Sequence, residues 1–128
     1  MIKRPESDEP YGPLGFVMRE SGPGTATWEY TVDRAHFNPA GALHGGVLMA
    51  LLDTAMGHAV AEMVVPNGRF NVAAQMNVHF VAPVREGTLR ATATVRKLGK
   101  RLAVVEGEAV DQDGRLVGVA TATHTLLP

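Results

Sequence analysis

The second half of the chain alternates between apolar and polar positions. Four runs carry the pattern: NVAAQMNVHFV from Asn71, GTLRATATVRKL from Gly87, RLAVVEGEAVD from Arg101 and RLVGVATATHTLL from Arg115. Residues that change face one by one, with many β-branched members, predict strands half-buried on one side. Short turns separate the runs, among them LGKR and the hairpin signal DQDG ending at Gly114. An earlier run, TATWEYTV from Thr25 to Val32, has the same character and predicts a first strand. Consecutive strands joined by short turns predict an antiparallel sheet, five-stranded with this first member.

One segment has a different period. From Gly45 to just before Pro66-Asn67-Gly68 the residues Val47, Leu48, Met49, Leu51, Leu52, Ala55, Met56, Ala59 and Val60 cover nearly the whole circumference of a helix, which predicts burial on most sides. The stretch is long enough to suggest a membrane span, but Asp53, His58 and Glu62 would each be expensive at bilayer depth, so a core helix is expected and no membrane. One helix packed on an antiparallel sheet makes an α+β layer architecture. Residues 1–24, with Pro5, Pro10, Pro13 and Pro23, read as an N-terminal arm holding one short ordered piece around Leu14 to Arg19. Residues 25–128 then form a single domain.

Composition narrows the partners. A formal net charge of -1 supplies no basic stripe for phosphates, so no nucleic acid is expected. There is no cysteine, hence no disulfide or thiol chemistry, and the polar start MIKRPESDEP lacks the apolar core of a secretory signal; a cytoplasmic location is expected. The only serines, Ser7 and Ser21, lie in the arm and exclude a nucleophile elbow. The five histidines show no metal-type spacing, and the glycines of GALHGG lack a phosphate-loop lysine and a dinucleotide-fold context. Neither a metal nor a cofactor is expected.

What remains is a loop that ends at a helix N-terminus, with an acid two turns inside. The first N–H groups of a helix have no intrahelical partner and carry partial positive charge, which suits a developing oxyanion. Gly45 and Gly46 let a ligand approach that backbone, Asn38 could add an amide donor, and His44 could hold the loop or contact substrate. Asp53 would then act as nucleophile or as general base toward water. His58, five residues further on, lies about 140° round the helix from Asp53 at ~100° per residue and reads as structural. Eight residues separate Gly45 from Asp53, about 12 Å at ~1.5 Å per residue. Attack needs both within a few ångströms of one carbonyl. One chain cannot supply both, so cooperation predicts a two-fold homodimer with antiparallel helices.

The stretch HFNPAGALHGGVLMALLDTAMG resembles the signature of hotdog-fold acyl-CoA thioesterases of the phenylacetate-degradation type, in which an asparagine precedes Leu-His-Gly-Gly and an aspartate follows eight residues after the first of those glycines. NVHFVAPVREGTL and the later hairpin extend the likeness from Thr25 to the C-terminus. The resemblance implies a hotdog fold, one long helix wrapped by a five- or six-stranded antiparallel sheet. It also implies a homodimer that pairs into a tetramer, and hydrolysis of acyl-CoA with coenzyme A as part of the substrate. By position, Asp53 matches the catalytic acid, Gly45 the oxyanion donor of the other subunit, Asn38 the orienting amide and His44 the motif histidine. Many members carry serine or threonine near the start of the next strand; here Ala73 and Ala74 stand there, with Gln75 as the polar neighbour.

Around these, Gly46, Met49, Met56, Ala73, Ala74 and Gln75 are the expected substrate contacts, the flexible methionines suiting varied acyl chains. A site between apolar helices favours aryl-acyl or medium-chain acyl groups. The basic cluster Arg96, Lys97, Lys100 and Arg101 is a candidate for coenzyme A phosphates. Two rivals remain. HF at 36 and 37 followed by GVLM echoes hotdog dehydratases, but the helix acid those need stands at apolar Ala50, and Pro39 occupies the aspartate position of a hydratase. A non-catalytic acyl-CoA binder would suit the alanines at 73 and 74, but has no use for a costly carboxylate at Asp53.

Overall fold

The computed structural model describes residues 10–128; the beginning of the expected arm, residues 1–9, lies outside them. Within the described residues one helix, α1 (Gly45–Val64), lies across an antiparallel sheet whose strands are β1 (Pro10–Tyr11), β2 (Phe16–Gly22), β3 (Thr25–Thr31), β4 (Phe70–Phe80), β5 (Thr88–Leu98), β6 (Leu102–Val110) and β7 (Leu116–Leu127). The six longer strands and the helix are the expected α+β layers.

Two differences from the sequence reading affect the site. The segment read as arm supplies β1 and β2, with β2 running beyond the ordered piece expected at Leu14 to Arg19 and pairing with β3 from Val17↔Glu29 to Gly22↔Thr25. Pro10 falls in β1, Pro13 in the turn between β1 and β2 and Pro23 after β2, so none interrupts β2, and Phe16 anchors that strand edge-on against Tyr30 at 5.7 Å. The second difference is strand order, β1-β2-β3-β5-β6-β7-β4. Although β4 precedes β5 in sequence, residues 81–87 carry the chain across the sheet, so β4 pairs only with β7 and forms an edge.

Packing follows from the size of the residues facing the helix. The inner face of the sheet is rich in small residues, with Ala91, Ala93, Ala103, Ala109, Ala120 and Ala122 buried, and the helix settles closely onto it. A Cβ at Gly118 would stand 3.0 Å from Leu48, and one at Gly107 would stand 3.1 Å from Met56. Into this floor α1 inserts Leu51, Leu52, Met56 and Val60, all fully buried, each worth about 1.5–3 kcal/mol relative to exposure.

The helix is not covered all round, however. The sheet embraces one side and leaves a stripe of Met49, Asp53 and the partly exposed Ala50, Thr54, Gly57, His58 and Ala61. The predicted burial on most sides therefore holds for the sheet-facing positions only, because a single sheet cannot enclose a helix. The edge strand β4 shows a similar lack of cover: Phe70, Val72 and Phe80 are exposed.

Candidate active site

The loop before α1 is fixed by its own polar groups. Asp33 donates its N–H to the Tyr30 hydroxyl (3.1 Å), which in turn meets His36 Nδ1 at 2.7 Å. Burial raises the Tyr30 pKa above its ordinary value, so the phenol stays protonated and can donate to His36. The His36 carbonyl accepts from His44 N–H at 2.9 Å and so sets the entry to the helix. Asn38 closes the intervening turn: its Oδ1 accepts from Ala40 N–H (2.9 Å) and Ala42 N–H (3.2 Å). That geometry assigns the amide oxygen inward and leaves the NH2 group available as a donor.

The helix start leaves one amide free. His44 is the N-cap, its Nδ1 accepting from Gly46 N–H at 2.9 Å, while its carbonyl accepts from Val47 N–H at 2.9 Å. Among the described residues the Gly45 N–H has no partner and points out of the positive end of the helix. Beside it lies Phe80 of β4, whose ring would stand 3.1 Å from a Cβ at Gly45. Gly45 thus keeps the backbone open on a side already bounded by an aromatic wall.

The second cluster lies further along the helix. Asp53 is exposed and makes no hydrogen bond or ion pair among the described residues, so this carboxylate in an otherwise apolar helix keeps its contact with solvent on the uncovered stripe. From Asp53 an open cavity of about 560 Å³ follows α1 toward Val65. Twelve residues separate these ends, about 18 Å at ~1.5 Å per residue. Tyr11, Trp28, Ala61, Val65 and Val72 give it apolar walls. Trp28 Nε1–H donates to His58 Nδ1 (2.9 Å), and His58 Nε2 lies 3.0 Å from Glu62. This agrees with a structural reading of His58. Two inward polar residues complete the cavity, Asn71 and His124.

The residues nominated by sequence fall into separate places. Asp53 and Ala73 line the cavity; Gly45, Asn38 and His44 stand at the other end of the exposed stripe or before it. Met56 is fully buried against Gly107 and belongs to the core, because its helical position faces the sheet. Gly46 and Met49 are exposed near the helix start, outside the cavity lining, as are Ala74 and Gln75, where a bulge pairs Ala73 with His124 and Gln75 with Thr123. The cations sit on and beside the β5–β6 turn. Arg96 meets Glu106 at 3.7 Å, and the Arg101 carbonyl accepts from Leu126 N–H at 2.9 Å.

Sequence reasoning passed over His124. Its signal was present: alternation along β7 puts it on the inner face with Ala120, Ala122 and Leu126, a polar ring in an apolar row.

Known proteins resemble this chain in sequence and fold. A family described as "Thioesterase superfamily" matches residues 40–118. Human acyl-coenzyme A thioesterase 13 is 32% identical over 113 residues, covering 86% of this chain and 77% of its own. Among solved structures, the E. coli PaaI protein from the phenylacetic acid degradation operon superposes with a TM-score of 0.84 at 30% identity, covering 90% of this chain and 81% of that one. A Bacillus halodurans protein solved with CoA superposes with a TM-score of 0.75 at 34% identity, covering 79% of this chain and 66% of its own.

Proposed function

The chain belongs to the thioesterase superfamily, with a hotdog fold, and on that premise we propose that it hydrolyses acyl-CoA thioesters to a free acid and coenzyme A. The observation that carries the reading is the pairing of two unsatisfied groups on one exposed stripe, the Gly45 N–H and the Asp53 carboxylate. Neither has a partner among the described residues, and hydrolysis of a thioester needs a donor for the carbonyl oxygen and an acid that drives attack.

Within one chain these groups are about 12 Å apart at ~1.5 Å per residue. The active unit is therefore a homodimer in which Gly45 of one subunit faces Asp53 of the other. Its surface is at hand: β4, paired on one side only, with β7, is an edge strand of 11 residues with Val72 and Phe80 exposed, a template for pairing with a second copy. Antiparallel pairing of two β4 edges brings the two uncovered helix stripes together and closes the cavity over Asp53.

In the assembled site the thioester carbonyl accepts from the Gly45 N–H, with the Asn38 NH2 as a second donor. Asp53 attacks the carbonyl carbon directly or deprotonates a water that does. The C–S bond breaks, and the thiolate leaves as coenzyme A after taking up a proton. The apolar run along Trp28, Ala61 and Val65 takes an aryl-acyl or medium-chain acyl group, and the cations Arg96, Lys97, Lys100 and Arg101 are the groups assigned to the coenzyme A phosphates.

The test is release of free coenzyme A from phenylacetyl-, hydroxybenzoyl-, hexanoyl- and palmitoyl-CoA by the wild type and Asp53→Asn at equal folded concentration. Turnover on an aryl or medium-chain substrate, lost in the variant, is the expected result. Undiminished turnover in Asp53→Asn would place the chemistry elsewhere.

A further inference from the structure

His124 is 2% exposed on β7, and its tautomer is fixed by its neighbour. Asn71 Nδ2 donates to the Gly57 carbonyl at 3.1 Å, which identifies that atom as the amide nitrogen. The same nitrogen stands 3.1 Å from His124 Nδ1. A donor facing Nδ1 makes Nδ1 the acceptor, so the ring proton of the neutral imidazole sits on Nε2. That Nε2 is buried and has no hydrogen-bond partner among the described residues.

A buried N–H without an acceptor is destabilising, and native structures rarely keep one without a use. Its surroundings supply none: Ala73 and Ala103 are its register partners, and Gly57 faces the ring from α1. The titratable groups of the same cavity are Asp53, His58 and Glu62 on α1 and Tyr11 on β1; β4 and β6 present apolar or amide side chains there. Burial lowers the His124 pKa, and the Asp53 charge only partly restores it, so its surroundings favour the neutral ring, whose Nε2–H is a donor.

We propose that His124 is a further residue of the hydrolytic step: its Nε2–H donates to the oxygen of the water that Asp53 deprotonates, and so aims that water at the thioester carbon. The inference rests on the hydrolase reading above and deepens it, by assigning attack to water and giving this chain a donor where Ala73 and Ala74 offer no hydroxyl. In the step, one water proton goes to the Asp53 carboxylate and a C–O bond forms. The carbonyl pair moves to the oxygen held at Gly45, then returns as the C–S bond breaks and the thiolate takes the proton from Asp53. His124 keeps its own proton throughout.

Three measurements decide it in the full-length oligomer. Side-chain 15N shifts of the wild type should show His124 protonated on Nε2, and the Nδ1 tautomer would overturn the proposal. His124→Leu should lower kcat by up to about 100-fold with KM nearly unchanged, as expected for a misplaced reactant. His124→Gln, whose oxygen can accept from Asn71 while its amide donates into the cavity, should recover most of that loss. A folded Leu variant with wild-type kcat beside an inactive Asp53→Asn would overturn the proposal and leave the hydrolase reading standing, whereas a fully active Asp53→Asn would remove that reading itself. Should the Leu variant not fold, a folded Gln variant below about 1% of wild-type kcat overturns the donor role on the same scale. A single turnover in 18O-water should put label in the released acid; unlabelled acid, its oxygen drawn from Asp53, would contradict attack by water.

Discussion

Glu29 and Asp53 are both carboxylates on a regular element, and they differ in what surrounds them. On the outer face of the sheet, Glu29 of β3 accepts from Arg19 Nε of β2 at 3.0 Å and from Arg90 of β5 at 2.7 and 3.1 Å. Burial acts to raise its pKa, but the two guanidinium groups outweigh that and hold it below the ordinary carboxylate value. Asp53, on the stripe that the sheet leaves open, has no such partner. A satisfied charge clamps three strands together and contributes to architecture; an unsatisfied one, in the same cavity as an orphaned imidazole N–H, is left free for another use.

The contrast is sharpest when Asp53 is neutralised. Asp53→Asn should lower turnover by about 100- to 10,000-fold, the range of a general base, while thermal stability stays within about 0.5 kcal/mol, because the near-isosteric change breaks no hydrogen bond or ion pair among the described residues. Steady-state release of coenzyme A and calorimetry read the two quantities separately. At the other end of the stripe, Gly45→Pro should remove the unpaired N–H yet keep the helix. Proline is tolerated at the first helical position, and His44 already has φ -61 and ψ 130, the conformation a following proline requires. The exposed Phe80 ring must swing aside. A loss of about 100- to 1,000-fold in kcat with unchanged circular dichroism is expected, as for other oxyanion donors.

Smaller effects belong to folding. The lowered pKa of His124 means that the unfolded chain binds its proton first, so stability present above the ordinary histidine pKa is lost as pH falls through the folded value. His124→Gln should remove this acid-side loss, measured as a flatter Tm-versus-pH curve below the histidine range. Glu29→Gln should cost less than about 1 kcal/mol because Arg19 and Arg90 are 38% and 59% exposed and the pairs are screened. With a depressed carboxylate pKa, the stability Glu29 adds is present above the unfolded value and lost as pH falls through the folded one. Wild type and Glu29→Gln should therefore converge in urea denaturation at acid pH.

Much of this organisation was legible in the residues. The alternation from Asn71 to Leu127 predicted four strands within a residue or two, and the apolar run with its Pro66 stop predicted α1. Local alternation carries no information about which strand lies beside which, so the crossing that makes β4 an edge was invisible, although that edge is what a second subunit would use. β2 was legible only as a short ordered piece around Leu14 to Arg19, because the strand is held by pairing with β3 and by Phe16 against Tyr30, not by a pattern of its own. At the site, His-Gly-Gly and Asp53 stood out by spacing. The Trp28–His58–Glu62 chain and the orphaned Nε2 of His124 arise from residues distant in sequence and needed the fold to meet.

The claim that one site draws on two subunits is tested most directly by mixing. Gly45→Pro and Asp53→Asn subunits, each inactive alone, are unfolded together, refolded and assayed for coenzyme A release. In a random mixture half the dimers are hybrids, and each hybrid holds one intact site, so about a quarter of wild-type turnover should return. Hybrid dimers isolated by two different tags and still inactive would contradict the shared site.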